Sequence, residues 1–192
     1  MMEVFNIVIA GVGGQGVLTA SRVLAESALA GGMDAKQTEV HGMAQRGESV
    51  ISFVRIGEKV YSPLITPGNA DILIAFEPLE ALRYIHYLKA GGMLVYNKVP
   101  INPSTVASGL AVYPPDVEAR IASLCANSRG IDALSIARKV GDTKAVNMVM
   151  VGSVMKRLPF SHCFIEGVVK ALFSNKRAEV NLKALAAGAV GV

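Results

Sequence analysis

The chain has 192 residues, of which 52% are hydrophobic and 18% are charged, and its formal net charge is +4. This length is typical of one domain, and we expect a single domain over residues 1–192. The mild charge, the lack of basic runs and the lack of tryptophan argue against a nucleic-acid-binding protein.

Cysteine usage and hydropathy narrow the class of protein further. Cys125 and Cys163 are far apart and neither has a CxxC partner, which excludes an iron–sulfur or zinc site of ordinary spacing within this chain. We expect reduced thiols, with a disulfide as the alternative. The N-terminus lacks the basic flank of a signal peptide, and no apolar run is long enough to span a bilayer. The sequence therefore predicts a cytoplasmic protein that does not bind membranes.

The N-terminal part of the chain predicts a strand, a glycine-rich turn, a helix and a second strand. Residues 4–10 form a continuous apolar run, as expected for a strand buried on both faces. The sequence GVGGQG follows at 11–16, and apolar residues at helical spacing over 17–30 predict a helix that ends at Gly31–Gly32. Residues 35–40 predict the second strand.

Strands and helices alternate through the rest of the chain. β-Branched residues over 48–56 and a short return over 59–65 predict a hairpin. Further elements are expected in chain order: a strand at 70–76, a helix at 77–88 closed by Gly91–Gly92, strands at 93–97 and 110–114, a helix at 117–128, a short strand and helix within 130–141, and helices from 144 onward with a break at Pro159. This alternation predicts a Rossmann-like α/β fold, a doubly wound, mostly parallel sheet with helices on both faces and a helical C-terminal segment.

The glycine-rich turn is a candidate phosphate loop. Gly11, Gly13 and Gly16 have the spacing of the dinucleotide-binding fingerprint, between a predicted strand and a predicted helix. Glycines let the backbone turn tightly and approach a ligand, and the helix N-terminus offers free N–H groups to a phosphate. Gly14 and Gln15 complete the loop. The alternative is a tight turn that only packs the helix onto the strand.

A polar stretch follows the second predicted strand. Glu39 is the candidate for the acidic residue that binds the ribose of a nicotinamide dinucleotide, and an exposed strand end is the alternative. His41, Gln45 and Arg46 come next, and an arginine can hold a phosphate or a carboxylate with two hydrogen bonds. This density of polar side chains suits a ligand or subunit contact better than a ribose clamp.

The sequence contains no complete catalytic constellation. His41, His86 and His162 are scattered, no pair of carboxylates has a telling separation, and neither a Ser/His/Asp order nor a metal-ligand spacing occurs. We therefore expect no catalytic residue and no metal site on this chain. We expect that the loop binds a ligand and that the chemistry lies on another chain.

Several segments taken together resemble one known family. GVGGQG, TEVHGMAQRG, SPLI, DILIAFEPLEALRY and IDALSIARKVGDTKAVNMVMVGSV, with the late Asn181, are similar to the gamma-type domain of 2-oxoacid:ferredoxin oxidoreductases. The resemblance covers nearly the whole chain and is strongest to the small (beta) subunit of the indolepyruvate type. Aryl pyruvates fit this resemblance best, while pyruvate and branched-chain 2-oxoacids stay open as substrates.

The resemblance implies a subunit of a complex that decarboxylates a 2-oxoacid oxidatively, reduces ferredoxin and forms an acyl-CoA. It implies a large partner subunit that carries thiamine diphosphate and iron–sulfur clusters, and it associates this Rossmann-like domain with coenzyme A. The cofactor-binding roles that it implies fall on loop, cleft and helix residues of this chain: Gly11, Gly13, Gly14, Gln15, Gly16, Glu39, His41, Gln45, Arg46 and Asn147.

Two details qualify the residue roles that the resemblance implies. For Asn147, a helix cap or a buried hydrogen bond is the alternative role. The family commonly has Arg-Gly-Gly where this chain has Arg46-Gly47-Glu48. A side chain there replaces a permissive backbone position, and its carboxylate would repel a nearby phosphate.

Two other functions compete with this interpretation. One is a stand-alone NAD-dependent oxidoreductase that places Glu39 on the ribose. The other is a binding or assembly module whose loop holds no nucleotide. Titration with NADH separates them, since saturable binding by the isolated chain supports only the first.

Overall fold

The computed structural model describes residues 3–41 and 47–190, and its centre is a six-stranded sheet. The strands in chain order are β1 (Phe5–Val12), β2 (Asp34–His41), β3 (Ser49–Gly57), β4 (Ala70–Ala75), β5 (Leu88–Asn97) and β6 (Ser128–Ile131). Their order across the sheet is β2-β3-β1-β4-β5-β6. Strand β3 runs antiparallel to both of its neighbours, and the pairs on the other side of β1 are parallel. The sheet is therefore mostly parallel, with one reversed strand.

Strand β3 corrects the hairpin expected over 48–65. Its return segment, 59–65, is not a strand, and β3 instead lies between β1 and β2. The register pairs Gly11 and His41 with the same residue, Val50, so that the ends of β1 and β2 meet the start of β3 at one edge of the sheet. The physical reason is that β3 is apolar on both faces and nearly all buried, which requires a position inside the sheet.

Helices cover both faces of the sheet. They are α1 (Val17–Ala30), α2 (Pro78–Tyr84), α3 (Ser104–Ala107), α4 (Val117–Leu124), α5 (Ala133–Val140), α6 (Val146–Val154), α7 (His162–Leu172) and α8 (Asn175–Val190). One core lies between the sheet and α1, α5, α6, α7 and α8, and the other lies under α2 and α4. The predicted α/β fold with a helical C-terminal segment is therefore confirmed. No helix in the described ranges combines the length and apolar character needed to cross a bilayer.

Further local predictions are wrong. The helix expected over 117–128 ends at Leu124, and Ser128 begins β6. Residues 110–114 do not form a strand, and Leu110 and Val112 are 83% and 87% exposed, because β6 takes the place beside β5. Gly91–Gly92 does not end a helix, because α2 already ends at Tyr84 and the glycines lie within β5.

Helices α6 and α8 approach each other at two glycines. A Cβ added at Gly152 would lie 2.1 Å from the carbonyl oxygen of Leu185, and one added at Gly188 would lie 2.1 Å from that of Val149. Since neither backbone oxygen can move away independently, both positions require glycine. This contact holds α8 against α6, the helix whose first turn carries Asn147.

Candidate functional site

The glycine-rich loop connects β1 to α1 at the edge of the sheet where the parallel strands end. Gly14 and Gly16 have φ angles of +103° and +86°, in the left-handed region that favours glycine. The Gly13 N–H donates to the Glu48 carbonyl at 2.9 Å, which ties the loop to the start of β3. Gly16 caps α1 without a side-chain hydrogen bond, so the first N–H groups of this helix are not capped by a side chain.

The Gln15 side chain braces the loop against β4. Its Oε1 accepts from the Val12 N–H at 2.6 Å, and its Nε2 donates to the Phe76 carbonyl at 2.9 Å. These bonds join the ends of β1 and β4. The strands that follow β1 in the chain, β2 and β3, lie on one side of it, and β4 lies on the other, so this is the point where the strand order reverses. Gln15 therefore has a structural task, because both ends of its amide already have partners.

Asn97 is a second brace that the sequence analysis missed. It is 4% exposed, its Nδ2 donates to the same Phe76 carbonyl at 3.3 Å, and its Oδ1 accepts from the Ala133 N–H at 3.1 Å. The available signal was a polar residue directly after the mostly apolar segment 93–96.

Asn147 packs directly against the loop. A Cβ added at Gly16 would lie 2.7 Å from Asn147 Nδ2. The Asn147 side chain is 7% exposed, and its Oδ1 accepts from the Met148 N–H at 2.9 Å. Its buried position and hydrogen bond agree with the structural alternative, while its contact with the loop is what a cofactor-binding role requires.

Two pockets flank the loop, and Gly14 and Gly16 line both. The first has a volume of about 420 Å³ and includes Glu39, and the second has a volume of about 410 Å³ and includes Asn147. Among the described lining residues, the charged one is Glu39 in the first pocket and Lys144 in the second. An anionic group at the loop is therefore favoured on the Asn147 side.

Glu39 and Asn147, both of which the resemblance assigns to cofactor binding, line different pockets. His41 ends β2 at the same edge of the sheet as the loop, but its side chain lies outside the described part. Gln45 and Arg46 also lie outside the described residues. Their predicted roles stay predictions.

Glu48 stands beside the loop, as its sequence position implies. Gly47 has a φ of +77°, whereas Asn175 is the one non-glycine residue with positive φ in the described ranges. Glu48 therefore occupies a backbone conformation that any residue can adopt, and the permissive position is the one before it. Its carbonyl accepts from Gly13, so the residue is held close to where a phosphate would bind.

A buried carboxylate pair on α2 supports the same edge of the sheet from the other face. Glu77 and Glu80 are 1% and 2% exposed, and the Glu80 N–H donates to the Glu77 carboxylate. The Ser49 hydroxyl donates to Glu80, and the Tyr113 hydroxyl donates to Glu77 at 2.9 Å. Burial raises the pKa of Glu77, and the hydrogen bonds it accepts only partly offset this rise. The pair anchors the start of β3 to α2.

Comparison with known proteins gives consistent matches along the chain. Residues 6–190 match the pyruvate ferredoxin/flavodoxin oxidoreductase family. Indolepyruvate oxidoreductase subunit IorB of Pyrococcus horikoshii is 42% identical over 192 residues, covering 97% of this chain and 95% of that protein. The subunit of the same name from Thermococcus kodakarensis is 41% identical with the same coverage.

A solved structure shares the fold. The 2-oxoglutarate:ferredoxin oxidoreductase from Magnetococcus marinus, with 2-oxoglutarate, coenzyme A and succinyl-CoA bound, matches with a TM-score of 0.76 and 18% identity, covering 99% of this chain and 31% of that chain. At this identity the similarity supports the fold and carries no residue roles. The family match and the relatives at 41% and 42% identity confirm the resemblance seen in the sequence: the chain belongs to the pyruvate ferredoxin/flavodoxin oxidoreductase family.

Proposed function

We propose that this chain is the small subunit of an indolepyruvate-type 2-oxoacid:ferredoxin oxidoreductase. The observation that carries the proposal is the 42% identity, along nearly the full length of both proteins, to a subunit named for indolepyruvate oxidoreductase. In this proposal the complex converts an aryl 2-oxoacid to an acyl-CoA and CO2 and passes the electrons to ferredoxin. The location is cytoplasmic, and the single domain over 1–192 stays a prediction.

The proposal divides the chemistry between two kinds of subunit. A large partner carries thiamine diphosphate and the iron–sulfur clusters, which supply decarboxylation and electron transfer. This chain completes the complex and is inactive alone. The names of the relatives support the division, because each is called a subunit of an oxidoreductase.

Coenzyme A binding is the part of the proposal that concerns this chain's own residues. A pyrophosphate group fits the loop because left-handed glycines bring the backbone close and the first turn of α1 has no side-chain cap. The pocket beside Asn147 supplies a cation, Lys144, next to the loop. When bound, coenzyme A supplies the thiol that accepts the acyl group.

The residue roles in this proposal follow the two sides of the loop. The phosphate loop consists of Gly11, Gly13, Gly14, Gln15 and Gly16, where Gln15 acts by holding the loop to Phe76. Asn147 binds the cofactor from the second pocket, and Glu39 binds it from the first. The proposal keeps His41, Gln45 and Arg46 as further cofactor-binding residues. Because Glu39 is acidic, it suits a hydroxyl or amino group of the ligand and not a phosphate.

Coexpression of this chain with the large subunit from the same organism tests the proposal. The purified complex is assayed anaerobically for coenzyme A-dependent viologen reduction with indolepyruvate, pyruvate and a branched-chain 2-oxoacid. The proposal requires an iron-containing complex with the highest kcat/KM for the aryl substrate. A complex that prefers another 2-oxoacid contradicts the substrate, and failure to form any complex contradicts the subunit role.

Variants of the small subunit test the cofactor role separately. In the assembled enzyme, Arg46→Ala and Asn147→Ala are expected to raise the KM for coenzyme A and leave the KM for the 2-oxoacid unchanged. Lys176→Ala, on the exposed side of α8, is the control. If only the yield of complex falls, both residues act in assembly. In a separate titration, saturable NADH binding by the isolated chain would favour the NAD-dependent oxidoreductase.

A further inference from the structure

A smaller pocket lies next to the loop, between the turn that precedes α6 and helix α8. Its volume is about 200 Å³, and its polar lining includes Lys144, Asn147, Arg177 and Asn181, with Phe173 as an apolar wall. We call it the Asn181 pocket. This volume accommodates a phosphate group but is smaller than the pockets that hold whole cofactors, which begin at about 300 Å³.

Two cations give the Asn181 pocket its charge. Lys144 and Arg177 form no ion pair with any residue in the described ranges. Asp142 also lines the pocket, and its Oδ1 accepts from the Lys144 N–H at 2.9 Å, which stabilises the turn. The three charged side chains together carry one net positive charge, so the pocket favours an anion.

Two buried amides face the Asn181 pocket with hydrogen-bonding capacity unused. Asn181 is 8% exposed and makes no hydrogen bond to the described residues, and Asn147 Nδ2 likewise has no described partner. In the same ranges, every fully buried side-chain nitrogen or oxygen has a partner. The unused amide groups of Asn147 and Asn181 must therefore keep some solvent access, and the pocket that they both line provides it. Buried amides are normally hydrogen-bonded, so this arrangement points to a polar ligand.

The Asn181 pocket adjoins both pockets beside the loop, because it shares lining residues with each. Thr19, in the first turn of α1, lines both this pocket and the one that contains Glu39. Lys144 and Asn147 line both this pocket and the one beside Gln15. A ligand whose pyrophosphate sits at the loop can therefore place another phosphate here.

We propose that the Asn181 pocket binds a phosphomonoester dianion between Lys144 and Arg177, with Asn147 and Asn181 donating N–H groups to its oxygens. Phosphate suits this set because guanidinium, ammonium and amide groups all donate to its oxygens. Two sources carry the same chemistry: inorganic phosphate and the ribose phosphomonoester of coenzyme A. Assigning the second source rests on the proposed function, whereas the phosphate pocket itself does not.

Calorimetric titration of the full-length chain with inorganic phosphate, at constant ionic strength, tests the pocket. Arg177→Ala is expected to weaken phosphate binding at least 10-fold, and Asn181→Asp to abolish it by placing a carboxylate in the pocket. The matched control is Lys176→Ala, which removes the same charge one residue earlier on α8, outside the pocket. Equal affinities for the Arg177→Ala and Lys176→Ala proteins, or no saturable phosphate binding by the wild type, would overturn the proposal.

Coenzyme A and dephospho-coenzyme A distinguish the two sources in the same titration. If the pocket holds the cofactor's phosphomonoester, Arg177→Ala weakens coenzyme A binding about 10-fold, leaves dephospho-coenzyme A unchanged and abolishes competition by phosphate. If Arg177→Ala weakens only inorganic phosphate, the pocket stands and its ligand is free phosphate. If phosphate binds and neither form of the cofactor does, the pocket again stands, and the coenzyme A role in the proposed function fails.

Discussion

Asn147 occupies the space that a side chain at Gly16 would need, with its Nδ2 2.7 Å from the position of a Cβ. Gly14, two residues earlier, has nothing within 4 Å of such a Cβ, although its φ is also positive. The two glycines thus meet different requirements. For folding, Gly14 is required by the backbone conformation alone, whereas Gly16 is required by both the conformation and the contact with α6.

Gly16→Ala is expected to cost more stability than Gly14→Ala. Each substitution places a β-carbon in the left-handed region, at a cost of about 1–2 kcal/mol. Gly16→Ala must also displace the buried Asn147, which adds about 1–3 kcal/mol of overpacking. Urea denaturation of both proteins measures the difference in the free energy of unfolding.

The double variant Gly16→Ala/Asn147→Ala is the control for this contact. Removing the Asn147 amide should recover most of the extra cost of Gly16→Ala, so the two substitutions should be non-additive. Additive losses would show that the clash does not involve Asn147.

The glycines between α6 and α8 lead to a second expectation. Gly152→Ala and Gly188→Ala each place a Cβ 2.1 Å from a backbone oxygen, so the helices must separate. We expect each to lose about 3 kcal/mol or more of unfolding free energy. Gly167, in α7, is exposed and has nothing within 4 Å of a Cβ, so Gly167→Ala should gain about 0.5–1 kcal/mol. Thermal denaturation of the three proteins measures the shift in Tm of each. Equal shifts for all three would contradict the contact between α6 and α8.

The parts of the fold that the sequence could predict are those with a local signal. The strand at 4–10, the glycine-rich loop and the helix after it follow from apolar runs and glycine positions. The insertion of β3 between β1 and β2 was missed because pairing between distant strands leaves no local pattern. For the same reason the sequence could not show that Glu39 and Asn147 line different pockets, or that Arg177 and Asn181 join Lys144.

Gln15→Met tests the brace between β1 and β4. Methionine keeps the side-chain length but loses the hydrogen bonds to Val12 and Phe76. We expect a loss of about 1–3 kcal/mol, because the Val12 N–H is left without its partner, while Phe76 keeps the bond from Asn97. Gln37→Met is the control, because Gln37 is exposed and its side chain makes one hydrogen bond to the described residues, to Ser21. Its loss should therefore stay below about 1 kcal/mol. If denaturant titrations show equal losses of unfolding free energy for the two variants, Gln15 does not brace the loop.

Glu77 is expected to make stability depend on pH. Burial raises the pKa of its carboxyl above the ordinary value of 4.5, so between these two values the folded state binds more protons than the unfolded state. The contribution of Glu77 to the free energy of unfolding therefore falls as pH rises from 4.5 through the folded-state pKa, by at most about 1.4 kcal/mol per pH unit.

Glu77→Gln removes this titration. Its amide oxygen can accept from the Glu80 N–H, and the Tyr113 hydroxyl can turn to accept from its amide nitrogen. The variant should therefore become more stable relative to the wild type as pH rises from 4 to 8, measured by urea denaturation. Asp34→Asn, measured below pH 3.8, is the control of opposite sign. The Val60 N–H, which donates to Asp34 at 2.8 Å, lowers the pKa of that carboxyl below 3.8, so its stabilisation is present above pH 3.8 and is lost as pH falls through the lowered value. If the Glu77→Gln difference does not change with pH, the buried carboxyl carries the same charge in the folded and unfolded chain throughout that range, and desolvation does not govern its pKa.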